Sequence, residues 1–401
     1  MAALIKSLRR GVLASFTRAR AALPASLNDA AFHLPTRVID DTPALADALG
    51  WPCVDLGLNA VILPTVIERG ADTDALSRLR ARVAEQRPSS RAFAARLPRG
   101  RVLGLGCSAI AQPIAQHGVV LADVSPHFGE PMARHRALSS FLIAPPPRRL
   151  AGVGALIGAI GHDNFYHWLF DVLPRIGLLR SAGFGAVDHW IVADDRLTVA
   201  RELLSRAGIE PSKVRCVGRG GHLECEELVV TSAPGRICEP TPRSVEFLRE
   251  LFGSESAAIN SGGASGRRIY VARRGRRKIV NEDELAPVLA HHGIEQTSME
   301  GLSLSEQIAV FRGASLVVAP HGAALSHLVH AAKGATLVEL HPPNYLNQAY
   351  FVLAGACGVR YLPVVGSPLR VGDSGRDASV ADFRIEAAQL DRALREVEPH
   401  S

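Results

Sequence analysis

The sequence predicts an α/β protein with two domains, the second of them built on an open, doubly wound parallel sheet. Its 401 residues correspond to between two and three domains of about 150 residues each. Hydrophobic side chains make up 47% of the chain and charged ones 21%, as in packed globular proteins and unlike membrane-spanning, fibrous or disordered chains. Beyond residue 267, apolar strand patterns alternate with helix patterns, which favours right-handed β-α-β units in one parallel sheet.

Changes in composition place the domain boundaries. The stretch 256–266 is small and polar without an apolar period, which is typical of a flexible linker. We therefore predict a basic extension over 1–30, a first α/β domain over 31–255, a second domain over 267–375, and a C-terminal helix and tail over 376–401.

Apolar runs and helical periods predict the elements of both domains. The first domain is predicted to contain strands at 189–193, 214–217 and 228–231 and helices at 161–175, 196–207 and 243–252. The second is predicted to contain strands at 268–272, 294–297, 316–319, 336–340 and 360–365, with helices at 282–291, 304–311, 323–331 and 346–357, followed by a final helix at 382–397. Ser303 with Glu306 forms a capping box, and Asn281 precedes two acids, so two helix starts are marked independently.

The charge distribution and the spacing of the cysteines indicate the cellular compartment of the protein. The formal net charge is +6, and residues 1–28 hold five basic and no acidic side chains. As a helix this segment is amphipathic, so it either contacts the inner face of a membrane peripherally or is a frayed extension. The six cysteines contain no C-x-x-C pair, and we find no signal-peptide pattern, so we expect free thiols and a cytoplasmic protein.

A polar stripe on one predicted helix is the first candidate site. At about 100° per residue, Asn164, His167, Asp171 and Arg175 share one narrow stripe, whereas large apolar side chains cover another side. Burying these groups together costs several kcal/mol unless a cleft or network compensates, so we interpret the stripe as the lining of a cleft. The alternative is a satisfied core pair of His167 and Asp171 with Asn164 as a cap. Pro174 interrupts helical bonding and places Arg175 in doubt.

Basic residues directly follow the first strand of the second domain. Arg273, Arg274 and Arg277 can bond phosphate oxygens in a forked geometry, and Asn281 adds a polar group near the next helix. The cluster therefore predicts a diphosphate site. A solvated basic loop is the alternative, and nucleic acid binding is disfavoured because Tyr270 is the only aromatic residue in the cluster.

Small residues connect the third strand of the second domain to its helix. Gly322 and Ala323 leave room for an anion to reach the N–H groups at a helix start, and His321 is placed to donate to the same anion. Glu339 lies at the end of the next strand, where an acid can accept from both hydroxyls of a ribose, or else pair with an arginine. We find no convincing metal-ligand pattern, so we predict no metal site and no bound cofactor.

These motifs together resemble the family 61 glycosyltransferases. They are N-x-x-H-x-x-x-D-x-x-P-R at 164–175, R-R-G at 273–275, S-x-x-E-Q-I at 303–308, H-G-A-A-L at 321–325 and L-V-E-L at 337–340, in matching order and spacing. The resemblance covers about residues 155 to 365. Bacterial members are often labelled capsular polysaccharide biosynthesis proteins, and eukaryotic relatives transfer N-acetylglucosamine or xylose onto glycoproteins or glycans.

The resemblance implies a GT-B architecture, in which two Rossmann-like domains face each other across a cleft and the second binds a nucleotide sugar. It also implies inverting transfer, usually without a metal, to a glycan or lipid-linked glycan acceptor in capsule, exopolysaccharide or lipopolysaccharide synthesis. Carried over by position, the diphosphate contacts are Arg273, Arg277, His321 and Gly322, the ribose contact is Glu339, and the groups facing sugar and acceptor are Asn164, His167 and Asp171. Asp171 is the expected general base, with His167 as second candidate.

Three other hypotheses compete with a glycosyltransferase. The first is a non-catalytic GT-B-like scaffold that binds a nucleotide sugar or a glycan. The second is a different nucleotide-using enzyme, such as a nucleotidyltransferase or an oxidoreductase. The third is a nucleic-acid binder that uses the basic residues between 267 and 278, and it predicts a steep fall of affinity with salt.

Overall fold

The structure is a computed structural model that describes residues 35, 37–85, 91–104, 108–114, 117–126, 135, 137, 144–194, 196–253, 266–369 and 380–397. The extension 1–30, nearly all of the linker 256–266 and part of the tail 376–401 lie outside these ranges. The chain forms two compact units: Met1–Asn59 with Ser90–Pro234, and Ala60–Ser89 with Gly235–Ser401, as far as each is described. No helix within the described ranges has both the length and the apolar character that crossing a membrane requires.

The division into units lies earlier in the chain than the change in composition. The second unit starts at Gly235 rather than after 256–266, and it also takes in Ala60–Ser89. Arg249 accounts for the first difference, because its guanidinium donates to two backbone carbonyls of the second unit at 2.9 and 3.2 Å. The added segment belongs to the second unit because it forms a bridge with the last long strand there.

Strands and helices are numbered along the chain. The strands are β1 (Arg37–Ile39), β2 (Cys53–Leu58), β3 (Arg91–Pro98), β4 (Arg101–Leu103), β5 (Ser108–Ile114), β6 (His117–Leu121), β7 (Arg148–Leu156), β8 (His189–Val192), β9 (Val214–Cys216), β10 (His222–Thr231), β11 (Arg267–Ala272), β12 (Glu295–Ser298), β13 (Ala314–Pro320), β14 (Thr336–His341), β15 (Arg360–Val365), β16 (Ser367–Pro368) and β17 (Phe383–Arg384). The α-helices are α1 (Thr42–Leu49), α2 (Thr73–Ala84), α3 (Phe165–His167), α4 (Leu173–Ser181), α5 (Ala200–Arg206), α6 (Pro242–Leu251), α7 (Glu282–His291), α8 (Leu304–Phe311), α9 (Ala349–Cys357) and α10 (Ala387–Val397). A π-helix spans Trp168–Val172, and 3-10 helices span Pro211–Lys213 and Ala323–His330.

The first unit is built on a ten-stranded mixed sheet, in which four neighbouring strands pair in parallel in the order β10-β7-β8-β9. The chain leaves β7 toward β8 and β9 and returns on the other side of β7 as β10, so the strand order reverses between β7 and β10. In open α/β sheets, ligands bind at the carboxyl ends of the strands that flank such a reversal. The helical segment after β7 begins at this place.

That segment is not the single helix that the sequence predicts, because a π-helix separates α3 from α4. A π turn holds one more residue than an α turn, so it shifts the side chains that follow. Arg175 is 2% exposed, and it donates to the carbonyl oxygens of Asp171 at 3.0 Å, Thr231 at 3.2 Å and Val124 at 2.8 Å. Arg175 therefore joins the helix to the sheet and does not continue the polar stripe. Pro174 lies in the first turn of α4, where a missing N–H is tolerated.

The second unit is built on a five-stranded parallel sheet in the order β12-β11-β13-β14-β15. Every residue of β14 is buried, so both faces of the sheet are covered, as is usual for parallel sheets. Leu285 and Leu289 of α7 pack with Leu390 and Leu394 of α10 in one hydrophobic cluster with side chains of the sheet. The chain leaves β11 toward β12 and returns on the other side as β13, so the strand order reverses between β11 and β13.

The α/β alternation predicted for the second domain is confirmed, although two of its helices differ. Residues 323–331 were expected to form an α-helix, but they form a 3-10 helix. Residues 382–397 divide into β17 and α10, because the backbone of Phe383 bonds to Lys278 and Val280 at 3.1 and 3.0 Å and is held as an extended strand. In the first domain, the helix expected over 196–207 is shortened to α5.

Replacing Arg175 by Met keeps an apolar stem but removes the guanidinium that donates to three buried carbonyl groups. An unsatisfied buried acceptor costs about 1 to 3 kcal/mol, so we expect the free energy of unfolding of the first unit to fall by at least about 3 kcal/mol. Trp51, Trp168 and Trp190 all belong to this unit, so tryptophan fluorescence during urea unfolding follows it. Exposed Arg148→Met is the control, and a similar loss in both variants would contradict the prediction.

Candidate functional site

The first part of the candidate site lies at the carboxyl ends of β11 and β13, where the strand order of the second unit reverses. Arg273 directly follows β11, and His321 and Gly322 directly follow β13. Arg273 Nη1 donates to the carbonyl oxygen of His321 at 3.1 Å. Two motifs that are 48 residues apart in the sequence therefore form one surface.

Gly322 is required by the position of Arg273. A Cβ atom on residue 322 would lie 1.5 Å from Nη1 of Arg273, so a side chain fits there only if the guanidinium moves away. Arg273 Nε also donates to the carbonyl oxygen of Arg276, so the guanidinium is fixed at both ends. Burial is the first cause of a lowered pKa for Arg273 and the charge of Arg277 is the second, but a guanidinium keeps its charge at any ordinary pH.

Arg277 adds a second guanidinium at this edge. Its φ angle of 60° lies in the left-handed region, which is unusual for a residue with a side chain. Its guanidinium carbon lies 5.1 Å from the ring centre of Tyr345, within the range of a cation–π interaction. Arg274 is exposed, and its main-chain N–H donates to Glu300 Oε1 at 3.4 Å. Ala323 is half-buried and begins the 3-10 helix.

Beneath this surface, three side chains converge on Glu339. His321 Nδ1 lies 2.5 Å from Glu339 Oε1, and the Tyr361 hydroxyl donates to Oε2 at 2.6 Å. His341 Nε2 donates to the Tyr361 hydroxyl at 2.9 Å and lies 3.3 Å from Oε2. Because an ionised carboxylate only accepts, these contacts place a proton on Nδ1 of His321 and leave its Nε2 for other partners.

These contacts differ from the predicted role of Glu339 as a ribose ligand. Its side chain is 0% exposed, and both oxygens already accept from protein groups. Asn281 is likewise bonded within the protein, and its predicted contact with the ligand stays a prediction. Its amide nitrogen donates to Ile385 O at 2.9 Å and to Glu284 Oε2 at 3.0 Å, while its oxygen accepts from Ile385 N at 3.2 Å. The hydrogen-bonding groups of both residues are used within the protein.

His321, Glu339 and His341 also have the side chains of a metal site. Among the described residues, they form a group whose ligand atoms lie within 4.8 Å of one another. Two ligands of one tetrahedral zinc ion, each at about 2.0 to 2.1 Å, are separated by about 3.3 Å. The 2.5 Å contact between His321 and Glu339 is shorter and is that of a hydrogen bond. The absence of a metal requirement stays a prediction.

Burial and charge act on the ionisable groups of this cluster in opposite directions. Burial lowers the pKa of the His321 imidazole, with a contribution from Arg277 and against the effect of Glu339. Burial by itself raises the pKa of Glu339, but His341 and His321 outweigh it, so the pKa lies well below its usual range. The carboxylate therefore stays ionised, and His321 is neutral at neutral pH in the protein alone.

The second part of the candidate site lies in the first unit, after β7. His167 Nδ1 lies 2.5 Å from Asp171 Oδ2, and 14% and 19% of the two side chains are exposed. The sequence-predicted pair is thus formed, across the start of the π-helix, and remains partly open to solvent. Asn164 is exposed and caps α3, since its Oδ1 accepts from Tyr166 N at 2.9 Å. This cap is the alternative that the sequence left open for Asn164.

A second imidazole–carboxylate pair lies beside the first and was not predicted. His162 Nε2 lies 3.1 Å from Asp194 Oδ2, with 27% and 16% of the side chains exposed. The two residues meet because they follow β7 and β8, which are neighbouring parallel strands. Arg196 Nε donates to Asp194 at 2.7 Å, and Trp168 Nε1 donates to His162 O at 2.7 Å, which ties the pair to the helical segment. Asp194 at the end of a predicted strand is the sequence signal for this pair.

The aromatic residues around His321 were also not predicted. The ring of His321 lies 5.4 Å from that of Tyr345, 5.0 Å from that of Tyr350 and 5.7 Å from that of His341. Tyr361 carries a sequence signal, because a tyrosine inside an apolar strand needs a buried partner for its hydroxyl. The identity of that partner depends on the strand order, which the sequence does not contain.

The fold and these groups define an α/β protein with cationic side chains at one topological switch point and imidazole–carboxylate pairs at another. Residues 165–338, which are less than half of the chain, match the family model described as Glycosyltransferase 61. The predicted resemblance is therefore confirmed over these residues.

A curated relative matches over a shorter stretch. The chain is 36% identical over 96 residues to the EGF domain-specific O-linked N-acetylglucosamine transferase of Drosophila melanogaster. The match covers 23% of this chain and 18% of the relative, so the chain spans less than a fifth of that protein.

Gly322→Ala is expected to displace Arg273, because the added methyl group occupies the position of its guanidinium. Because the displaced group is the end of a flexible side chain, we expect little change in melting temperature but the loss of anion binding at this edge. Gly275→Ala is the matched control, since a Cβ atom there meets nothing within 4 Å. Pyrophosphate-induced stabilisation, measured by thermal unfolding, checks the prediction. Equal stabilisation of the Gly322 variant and the natural protein would refute it.

Proposed function

We propose that the protein is a glycosyltransferase that moves a sugar from a nucleotide diphosphate sugar to a hydroxyl group of a glycan acceptor. The second unit binds the diphosphate of the donor, and the first unit binds and activates the acceptor hydroxyl. The proposal rests chiefly on one observation: Arg273, His321 and Gly322 converge where the strand order of a parallel sheet reverses, inside the segment of the glycosyltransferase match.

The chemistry of the transfer fits these groups. When the bond to the sugar breaks, the departing diphosphate gains negative charge, and fixed positive groups stabilise it. Arg273 is already held by His321 O and Arg276 O, and Arg277 is stacked on Tyr345, so little reorganisation accompanies binding. Arg274 and Ala323 are proposed as further contacts at the same edge.

The acceptor hydroxyl must lose a proton as it attacks, which requires a base. Asp171 is our proposed base, because it is partly exposed and already bonded to an imidazole that can orient it. His167 is the second candidate, since the two groups share one short contact of 2.5 Å. Asn164 caps α3, which carries His167, so we propose that it positions this part of the site through the cap.

Several finer features of the function are part of the proposal. They are inversion at the anomeric carbon, independence of metal, a GT-B arrangement, a cytoplasmic location with residues 1–28 at the inner membrane face, and a role in capsule, exopolysaccharide or lipopolysaccharide synthesis. The alternative is a non-catalytic scaffold that binds a nucleotide sugar or a glycan. The partly open pair of Asp171 and His167 favours an enzyme, because a scaffold has no need of a base.

Thermal unfolding with UDP-, GDP- and ADP-sugars tests donor binding, with CMP-sugars, NAD and ATP as comparison ligands. A ligand at about 100 times its dissociation constant adds roughly 2.7 kcal/mol of stability, which is a measurable shift. We expect one nucleotide class to give this shift equally in EDTA and in magnesium, and Arg273→Ala to abolish it. Arg360→Ala is the control, because Arg360 begins β15 at the opposite edge of the sheet. A shift only with NAD or ATP, or a shift that needs magnesium, would contradict the proposal.

Asp171→Asn tests the role of the base. General-base catalysis contributes about 100- to 10,000-fold, so we expect transfer of radiolabelled sugar to fall by at least about 100-fold. Donor binding should remain unchanged, because Asp171 and Arg273 belong to different units. Asp163→Asn replaces an exposed acid nearby and should retain activity. Near-normal turnover of the Asp171 variant would remove it as the base, and His167→Gln would then be examined.

A further inference from the structure

This inference rests on the proposed function and concerns how the donor site balances its charge. Only one nitrogen of His321 is committed in the protein alone, since Nδ1 contacts Glu339. The carbonyl oxygen of the same residue accepts a hydrogen bond from Arg273. The ring of Tyr345 contacts the ring of His321 on one side and the guanidinium of Arg277 on another. We therefore expect an anion that binds to both guanidiniums to lie near His321.

Without an anion, the groups around His321 shift the pKa of its imidazole in opposite directions. Burial disfavours a second proton on the His321 imidazole, Glu339 favours it, and His341 and Arg277 disfavour it. A diphosphate bound between the arginines would offset their positive charge and would bring negative charge close to His321. The balance would then favour the imidazolium, which can donate from Nε2 to a phosphate oxygen while Nδ1 continues to donate to Glu339.

We infer that His321 takes up one proton from solvent when a diphosphate binds beside Arg273 and Arg277, and that Glu339 is the positioning residue that holds the resulting imidazolium in place. The proton goes to Nε2, and no other bond of the protein changes. The charged imidazole then supplies, at this site, a third positive group for the departing diphosphate.

The tyrosines around His321 do not provide an equivalent proton acceptor. Tyr345 and Tyr350 face its ring, and Tyr361 lies beyond Glu339, but phenols remain protonated near neutral pH. His341 stacks on His321 at 5.7 Å and donates from Nε2 to Tyr361, while its Nδ1 is buried without a hydrogen-bond partner among the described residues. It is therefore the other imidazole able to take up a proton, and the His321→Gln variant below distinguishes the two.

Proton uptake by His321 makes the affinity for the diphosphate fall as pH rises. The pKa of His321 is below its ordinary value in the free protein and is higher in the complex, so the extra affinity is fully present below the free-state pKa. It is lost as pH rises through the pKa of the complex. Between the two pKa values, the dissociation constant should rise by up to about tenfold per pH unit.

Isothermal titration calorimetry with the best-binding nucleotide sugar measures this directly. The diphosphate of a nucleotide sugar is a diester and does not titrate near neutral pH, so any exchanged proton belongs to the protein. Titrations in PIPES and in Tris, whose ionisation enthalpies differ, give the number of protons taken up. Repeating them between about pH 5.5 and about pH 8.5 covers the range in which histidines titrate. We expect an uptake that approaches one proton.

Four variants assign the proton. His321→Gln should bind more weakly, with no proton uptake and a flat pH dependence. Glu339→Gln should reduce the uptake at about pH 7 by at least about half, because the imidazolium loses its carboxylate. Tyr361→Phe removes a hydrogen bond to Glu339 but not the contact with His321, so the uptake should persist. His291→Gln replaces an exposed histidine of the same unit and should behave as the natural protein.

The outcomes separate this inference from the proposed function. If no nucleotide sugar binds, both are overturned. If one binds without proton exchange at any pH, or if His321→Gln retains the uptake, the inference is overturned and the donor site stands. Melting temperatures show whether each variant is folded, and the titrations of the natural protein decide the question even if the Glu339 variant does not fold.

Discussion

The carboxylate of Glu339 is buried within β14 and accepts from His321 and Tyr361, with His341 close by. A buried carboxylate is tolerated only when such donors replace its hydration. The carboxylate in turn fixes the ring of His321. The carbonyl oxygen of His321 accepts a hydrogen bond from Arg273, and the guanidinium of Arg273 occupies the space beside Gly322. The geometry of the cationic surface is therefore set from beneath, by one negative charge that has no contact with solvent.

Both units place their polar groups by the same topological rule. In each sheet the chain proceeds to one side of a parallel strand and then returns on its other side, which leaves the carboxyl ends of two strands free of a covering connection. The second unit fills this position with guanidiniums and an imidazole. The first unit fills it with two imidazole–carboxylate pairs, His167 with Asp171 and His162 with Asp194. The composition of the loops, rather than the fold, makes one edge suited to an anion and the other to proton transfer.

The sequence was sufficient for what depends on local pattern. The alternation of strands and helices after residue 267, the capping box at Ser303 and the pairing of His167 with Asp171 all follow from spacing along one or two turns. Strand order and burial depend on distant residues. For that reason the role expected of Glu339 differs from its contacts, and the contacts of Asn281 within the protein and the pair of His162 with Asp194 were missed. The π-helix likewise has no local signature in this chain, and it moves Arg175 from the expected stripe into the core.

The different burial of the two carboxylates also fits the different tasks that we propose for them. A base must meet its substrate, and Asp171 keeps a fifth of its side chain exposed beside His167. A counterion must hold a charge in one place, and Glu339 has no exposed surface at all. Solvent would weaken its hold on an imidazolium, because charges interact more strongly where water is excluded. A carboxylate paired with an imidazole can therefore serve two purposes. In the proposed mechanism, Asp171 faces the acceptor and takes its proton, whereas His321 faces the diphosphate and keeps a proton that Glu339 stabilises.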